Sequence, residues 1–589
     1  MKRLNLILIF IVLLMVILLA RVYFLSIKSN TYYEELSKQN YIKRVYKAPS
    51  RGLIEDRNGV ALAINNLGFS ITVEPHLRSY KNKNKLLKIV KIISKHFPEY
   101  EEEELLKKYK KLDSPYKHDY VDLIDYIAYD DFFSKFTLFN SIEGIKVEPS
   151  VKRYYPFHNV ASHVIGYVGK ASKKDIENNE LSRYSGIIGK NGLEKYYNDK
   201  LQGTLGYKDI KVNALNKEIE VLEEKKPNEN NNLKITIDVR LQKFIQENFK
   251  ERSGAIIVMD VHNGEILAAA SFPEFDNNIF VGGISQKEWD DMRNSFDHPF
   301  TNKLVNGLYP PGSIYKMGIS LALLKNGLSP NFSVYCSGEL QIGNRKFRCW
   351  KQTGHGTTDF IKAIRESCDD FFYKASLKVG INKISKTMGE LGFGHKTGVD
   401  QINEFIGVNP NKEWKRKRYN QPWYIGETVI SSIGQGYTLV TPMQIARYTA
   451  FLATGKLPYP HFYKGQYKEP KKLDFNPKFL KIIREGMYDV ANERFGTAAR
   501  HLKSKVTLAA KTGTAQVITI PQSEKKRMKE SELEYYHRSH AWLNTYGPFR
   551  NPQYTVVALV EHGGHGGSTS GPIVAKIYDK LYELGYIKK

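Results

Sequence analysis

The sequence predicts a multidomain α+β protein carried behind a single N-terminal membrane-spanning helix. Three observations predict it. An apolar run extends almost unbroken from Leu4 to Ala20 and resumes at Val22–Leu25, behind Lys2 and Arg3; with its apolar flanks it is about long enough to span a bilayer. The stretch Glu223–Asn232 is polar and carries almost no apolar residue, which marks a boundary loop. Beyond it, apolar strand-like segments stand at both ends of the remaining chain with helical patterns between them. That order predicts one sheet completed by early and late parts of the segment around an α-helical middle. With 589 residues the chain exceeds a single core, and it divides into 1–26 (cytoplasmic tip and anchor), 27–235 and 236–589.

No small-x-small cleavage site follows the apolar run, so it reads as an uncleaved anchor. The basic residues before it place the N-terminus in the cytoplasm and everything after about residue 27 outside. Net charge is +26, carried mainly by lysine. The plain reading is a solvated lysine-rich surface; the functional one is attraction to phospholipid head groups or an acidic wall polymer. No nucleic-acid motif accompanies the charge, and an external location argues against nucleic acid as a partner.

After the anchor, Leu36–Tyr46 leads into Arg51–Ala63, where Asn58-Gly59 between apolar stretches predicts a hairpin turn. Residues 80–140 show helical spacing with charged outer faces. Arg153-Tyr154-Tyr155-Pro156 and Gly192-Leu193-Glu194 follow, the latter opening a short helix. Ala255–Val261 and Glu265–Ala270 form a hairpin around His262-Asn263-Gly264. Lys505–Val517, Ala541–Gly547 and Tyr554–His562 read as strands, and Gly571–Tyr586 as a closing helix.

Chemistry enters at Ser313-Ile314-Tyr315-Lys316, directly after Pro310-Pro311-Gly312 and at the head of a helix over Ile314–Leu324. Residues three apart share a helix face, so the Lys316 amine can reach the Ser313 hydroxyl, a nucleophile beside a base. The bland alternative is an N-cap serine with an exposed lysine. Two further pieces follow. Ser367-Cys368-Asp369 precedes a helix start, where Ser367 with Asp370 could equally be a capping box. Lys511-Thr512-Gly513-Thr514 lies in a strand, and its glycine removes a side chain where another group must approach the backbone closely.

In that order the three pieces resemble the signature of penicillin-binding proteins and serine β-lactamases. Gly307–Ser313, Ser432–Tyr437 with Thr441–Gln444, and His540-Ala541-Trp542 extend the likeness. Arg51–Ala63, Arg153–Pro156 and Gly192–Glu194 resemble the non-catalytic pedestal of the class B members, and Asp369 in the middle motif resembles their elongation-type subgroup. The resemblance implies an elongated α+β pedestal over 27–235. Over 236–589 it implies a β-lactamase-like transpeptidase domain, with an antiparallel five-stranded sheet, helices on both faces and a helical subdomain. It implies acyl transfer through Ser313, with Lys316 as base and Ser367 as proton relay. Lys511, Thr512 and Thr514 would hold the terminal carboxylate, with Gly513 between them, and the backbone N–H groups of Ser313 and Thr514 would form an oxyanion hole. The substrate is then a D-Ala-D-Ala stem peptide, β-lactams trap Ser313, and the chemistry needs no cofactor. Expected partners are a membrane-embedded glycan polymerase of the SEDS type and the scaffold of the elongation complex, reached through pedestal and anchor. The location is the inner membrane, with the catalytic domain in the periplasm. One departure stands out: the middle motif usually ends in Asn, and Asp369 when ionised can only accept hydrogen bonds. It is expected to pair with a lysine of the site instead. Division-type transpeptidase, and a hydrolase of carboxypeptidase or β-lactamase type, are the alternatives.

Only three cysteines occur, Cys336, Cys349 and Cys368, with His355 among them. Three thiolates and an imidazole complete a tetrahedral zinc site, and the elongation-type members resemble this chain in having metal ligands at matching places. The expectation is a structural zinc that fixes the catalytic loop from behind through Cys368. A Cys336–Cys349 disulfide or three free thiols remain alternatives. His562 and His565, in a glycine-rich run, read as a turn.

Overall fold

Lys2–Tyr23 forms a single helix whose apolar side chains are exposed all round. A helix apolar on every side needs an apolar surrounding. It belongs to the one span, Arg3–Lys28, that is long and apolar enough to cross a membrane among the described residues. The computed structural model describes residues 2–29, 32, 35, 41–79, 82–116, 119–213, 218–228, 232–250, 252–518 and 530–588. The start of the Leu36–Tyr46 lead-in and positions 229–231 of the boundary loop lie outside them.

The part before residue 236 is built on Ala61–Val73, which pairs antiparallel with Ile54–Glu55, Val121–Ala128 and Ile145–Tyr154. The expected Asn58-Gly59 turn forms. Asp56 N–H donates to Val60 O at 2.8 Å, and Gly59 adopts φ 89°, a conformation that favours glycine. Within 80–140 the helices Lys83–His96 and Glu102–Leu112 appear, but Val121–Ala128 is a strand. Its Asp122 and Asp125, three apart, imitate helical spacing; pairing with Ala61–Val73 overrides that local signal. Glu218–Lys225 is likewise a strand, exposed along its whole length and paired with Gly206–Val212. The polar boundary therefore begins after Lys225 rather than at Glu223, because a strand without a buried face leaves no alternation to read.

Three pedestal segments singled out in the sequence meet at one buried carboxylate. Arg51 Nε donates to Glu194 Oε2 at 2.6 Å, and Arg153 Nε donates to Glu194 Oε1 at 2.7 Å. Tyr155 OH adds a hydrogen bond at 3.2 Å. Burial pushes the Glu194 carboxyl up, but Arg153 and Arg51 together outweigh it and hold the group below the usual carboxylate range.

The larger part contains a five-stranded sheet in the order Ile266–Phe272, Gly254–Asp260, Tyr554–Val560, His540–Gly547, Ala509–Ala515, antiparallel throughout. Early and late segments complete it, as expected. Neighbouring residues of one strand show the helices on both faces. Asn544 donates to Thr449 of helix Pro442–Thr454 at 2.9 Å, while Thr545 donates to Tyr578 of helix Gly566–Glu583 at 3.1 Å. That last helix starts five residues before the expected Gly571. Ile54, Leu62, Tyr155 and Leu193 share one continuous core with the sheet residues Ile256 and Leu543. A separate core around Ile89, Tyr109, Phe132 and Phe139 fills the far end of the pedestal.

Removing Glu194 leaves two buried guanidinium groups without their carboxylate. Glu194→Ala is expected to lower stability by about 3–5 kcal/mol, read as an earlier first transition in calorimetry. An unchanged transition would show that the two arginines find other partners.

Candidate active site

Gly312–Tyr315 forms a 3₁₀ turn that runs into helix Lys316–Lys325, so Ser313 lies one turn ahead of the α-helix rather than within it. The lead-in is clamped from three sides: Tyr309 bridges to Val440, Trp542 Nε1 donates to Pro310 O at 3.1 Å, and Gly312 N–H donates to Gly434 O at 2.9 Å. Gly312 has φ 56°, and a Cβ there would sit 2.8 Å from Thr514 O. Across the contact, a Cβ on Gly513 would press on Ile314 and on Trp542 at 3.0 Å. The glycine of the Lys511 strand thus serves the close approach expected of it, bringing the edge strand of the sheet against the Ser313 turn.

The local fold of Ser367-Cys368-Asp369 explains how it serves two sites. Helix Phe360–Arg365 ends with Cys368 N–H donating to Ala363 O and Ser367 N–H to Ile364 O, a Schellman closure whose left-handed position is Ser367, φ 56°. A non-glycine residue there costs about 1 kcal/mol. Asp369 opens the next helix, Asp369–Val379, with Cys368 as its N-cap residue. The Ser367–Asp370 capping box does not form, because the cap position falls one residue later. In this single-residue link Ser367 and Asp369 face the lysines while Cys368 turns away.

Lys316 is completely buried. Its Nζ donates to Asp369 Oδ1 at 2.6 Å, to Ser367 O at 2.9 Å and to Ser367 Oγ at 3.2 Å. No hydrogen bond joins it to Ser313 Oγ among the described residues, so the direct pair expected from helix spacing is replaced by the ion pair with Asp369. Trp350 N–H donates to Asp369 Oδ2 at 3.0 Å, so both carboxylate oxygens are engaged. Lys511 Nζ reaches the same Ser367 hydroxyl at 2.9 Å. One hydroxyl therefore lies between two amines. Burial, then the charge of Lys316, holds the Lys511 ammonium well below the usual lysine range, and Asp369 offsets only part of this. Thr512 shares its hydroxyl with Thr497 at 2.7 Å, and Gln435 Nε2 donates to Thr514 O at 3.3 Å. Ser313, Lys316, Ser367, Asp369, Lys511 and the Thr512–Thr514 strand thus line one cleft.

Behind that cleft Cys336, Cys349, His355 and Cys368 are all buried, with their donor atoms within 4.8 Å of one another. All three cysteines are free, so the disulfide alternative is not the arrangement formed. His355 Nδ1 lies 3.5 Å from both Cys336 Sγ and Cys349 Sγ, close to the roughly 3.5 Å N–S edge of a tetrahedron with zinc-type bond lengths. Its buried Nε2 has no partner, so the ring's polar contacts are made at Nδ1, which faces both sulfurs as a metal ligand would. A hydrogen bond from Cys368 draws the Cys349 thiol below the usual thiol range, while the same contact and burial push Cys368 up. His562, at φ 53°, lies in a turn and packs on His540, whereas His565 is the N-cap residue of helix Gly566–Glu583 rather than part of that turn.

Sequence motifs did not point to Trp350 or Thr497. Neither belongs to a patterned stretch, and their contacts arise only when distant segments fold together. Gly434 and Gln435 were visible as part of Ser432–Tyr437, though without a stated contact.

Residues 254–579 match the family model described as the penicillin binding protein transpeptidase domain, and residues 46–235 that of the penicillin-binding protein dimerisation domain. The Escherichia coli (strain K12) peptidoglycan D,D-transpeptidase MrdA is 32% identical, over 96% of this chain and 91% of that protein. Among solved structures, the Helicobacter pylori penicillin-binding protein PBP2 in complex with MreC is 45% identical, with a TM-score of 0.86 over 93% of this chain and all of that one. A structure of a peptidoglycan synthase complex that coordinates polymerization and crosslinking is 27% identical, with a TM-score of 0.71 over 100% of this chain and 99% of that one.

The buried lysines carry an expectation for stability. Folding lowers the proton affinity of Lys511, so between its folded and unfolded titrations the unfolded chain binds the extra proton and stability rises with pH. Below that window a charged Lys511 is buried beside Lys316 at a cost. Lys511→Met is therefore expected to melt at or above the wild-type temperature at pH 7 while losing penicillin acylation. A melting temperature several degrees lower would contradict the charge argument.

Proposed function

We propose, for a chain that belongs to the elongation-type class B penicillin-binding proteins and is a serine-type peptidoglycan D,D-transpeptidase, that Ser313 is the nucleophile and that Lys316, Ser367 and Lys511 move its proton. The observation that carries this is the Ser367 hydroxyl placed 3.2 Å from Lys316 Nζ and 2.9 Å from Lys511 Nζ. In the resting site Lys316 is tied to Asp369 and cannot accept a proton while charged. The carboxylate of an arriving D-Ala-D-Ala end, bound by Lys511, Thr512 and Thr514, favours a charged Lys511. Lys511 then draws a proton through Ser367 from Lys316, and the neutral Lys316 amine takes the proton of Ser313 as its oxygen attacks the penultimate D-Ala carbonyl. The backbone N–H groups of Ser313 and Thr514 hold the oxyanion, a contribution of about 3–4 kcal/mol per donor in comparable sites. Ser367 returns a proton to the departing amine, free D-alanine leaves, and an amine of a neighbouring stem peptide takes the acyl group from Ser313.

In this reading residues 1–26 are cytoplasmic tip and anchor, 27–235 the pedestal and 236–589 the catalytic domain. Lys2 and Arg3 keep the N-terminus in the cytoplasm, which sets the cleft in the periplasm. Relatives solved with MreC and within a peptidoglycan synthase complex support a scaffold protein and a glycan polymerase as partners of the pedestal and anchor. β-Lactams bind at Ser313 as mimics of the stem-peptide end. The cysteine–histidine cluster is assigned a structural zinc, held by Cys336, Cys349, His355 and Cys368; when bound, it cross-links the segments on which those residues sit. The chain's own residues do the acyl chemistry.

Labelling with a fluorescent penicillin tests the nucleophile. Ser313→Ala is expected to cut acylation by more than about a thousandfold; equal labelling would overturn the assignment. For the cluster, elemental analysis is expected to find one zinc per chain, and its removal to lower the melting temperature and slow acylation. A zinc-free protein that melts and acylates normally would remove the assignment.

A further inference from the structure

An aromatic and cationic shelf adjoins the cleft and has no part in the proton path. It is built by helix Lys412–Tyr419, the loop to helix Ile425–Ser431, and Tyr437. Tyr437 stands at its centre: its ring centroid lies 5.2 Å from Trp414, 5.4 Å from Tyr419 and 6.5 Å from Trp423. The inner layer is fixed. Lys415 is buried, paired with Glu427, and lies over the Tyr424 ring at 4.3 Å. Trp423 Nε1 donates to Thr428 Oγ1 at 2.8 Å, and Tyr437 OH donates to Glu427 at 3.3 Å. The outer layer is open: Tyr419 is 48% and Tyr424 57% exposed. Arg416 and Arg418 are exposed beside them, and neither is in an ion pair among the described residues.

The shelf is continuous with the cleft. Three residues before Tyr437, Gly434 O accepts the Gly312 N–H, and the next residue, Gln435, holds Thr514 O. Exposed rings packed around a half-buried ion pair are a preorganised platform. Such rings suit a partner with flat apolar C–H faces, and unpaired arginines suit carboxylates. An uncross-linked peptidoglycan strand has both, pyranose rings along its backbone and carboxylates on its stem peptides. A cross-link joins two strands at one serine, so a strand must lie alongside the cleft.

We propose that this shelf binds the glycan strand of an uncross-linked peptidoglycan chain, with Tyr419 and Tyr424 against sugar rings and Arg416 and Arg418 on stem-peptide carboxylates. The proposal rests on the transpeptidase reading. Fluorescently labelled uncross-linked strands, intact or stripped of peptide by an amidase, are titrated into the full chain in detergent after penicillin has acylated Ser313 and closed the cleft. Intact strands are expected to bind the acylated wild type. Tyr419→Ala with Tyr424→Ala should weaken both strands about tenfold, and Arg416→Glu with Arg418→Glu should weaken the intact strands by a similar factor and the stripped strands, which keep only the lactyl carboxylate that the amidase uncovers, by less. Acylation rates of both variants should stay within about twofold of wild type. Absence of binding to the acylated wild type, or variants that bind like it, would overturn the shelf while leaving the nucleophile assignment untouched. Failure of the wild type to acylate would instead remove the transpeptidase reading. Should the tyrosine variant fold poorly, the exposed arginine variant decides by itself.

Discussion

Among the described residues Asp369 is the only carboxylate hydrogen-bonded to either buried amine of the cleft, and it reaches Lys316 alone; the rest of the site depends on that imbalance. Lys316 and Lys511 are completely buried and both reach the Ser367 hydroxyl. With both amines protonated, Asp369 leaves the group one negative charge short. A buried excess charge is costly, and the cost falls on Lys511, which gives up its proton readily. The missing charge is the one that a peptide ending in a free carboxylate supplies. Ligand binding and proton movement then become parts of the same electrostatic adjustment.

Asp369 can play that role because of where the backbone puts it. The Schellman closure at Ser367 and the immediate start of the next helix compress three functions into three residues. Trp350, from the loop that also carries Cys349 and His355, holds the outer oxygen of Asp369. The cluster and the cleft thus share a wall one residue thick. Any movement of the cysteine loop is felt at the carboxylate, and through it at Lys316.

The sequence made the chemistry more legible than the contacts. Ser313, Lys316, Ser367 and Lys511 could be named because three short motifs in that order resemble a family signature, and helices and strands present their residues at fixed spacings. The cysteines could be grouped because only three occur within a short stretch. The sheet order was legible in outline, since its apolar strands carry clear boundaries. What could not be read was decided by tertiary packing. The ion pair displaces a direct Ser313–Lys316 hydrogen bond, Thr497 meets Thr512, and Val121–Ala128 becomes a strand against its helical spacing. The pedestal motifs were legible as residues but not as a node; Arg51, Glu194 and Arg153 come from three separate segments that only folding brings together. Nor did the polar boundary near residue 230 reveal that residues before and after it share one hydrophobic core.

The strand Ala509–Ala515 is the last in its sheet. An unpaired strand is ordinarily a hazard, since its free amides and carbonyls can template aggregation. Here part of that row is already covered, by the Gly312 turn packed against Thr514 and by Gln435, which donates to Thr514 O. What remains is a short docking rail that engages main-chain atoms rather than side-chain shapes. A protein that reads its ligand along such a rail checks that the ligand is an extended peptide and where it ends, and is largely indifferent to the side chains between. Any rigid molecule that copies an extended backbone and a terminal charge is admitted on the same terms, so the tolerance that lets the rail accept varied peptides also makes it open to deception.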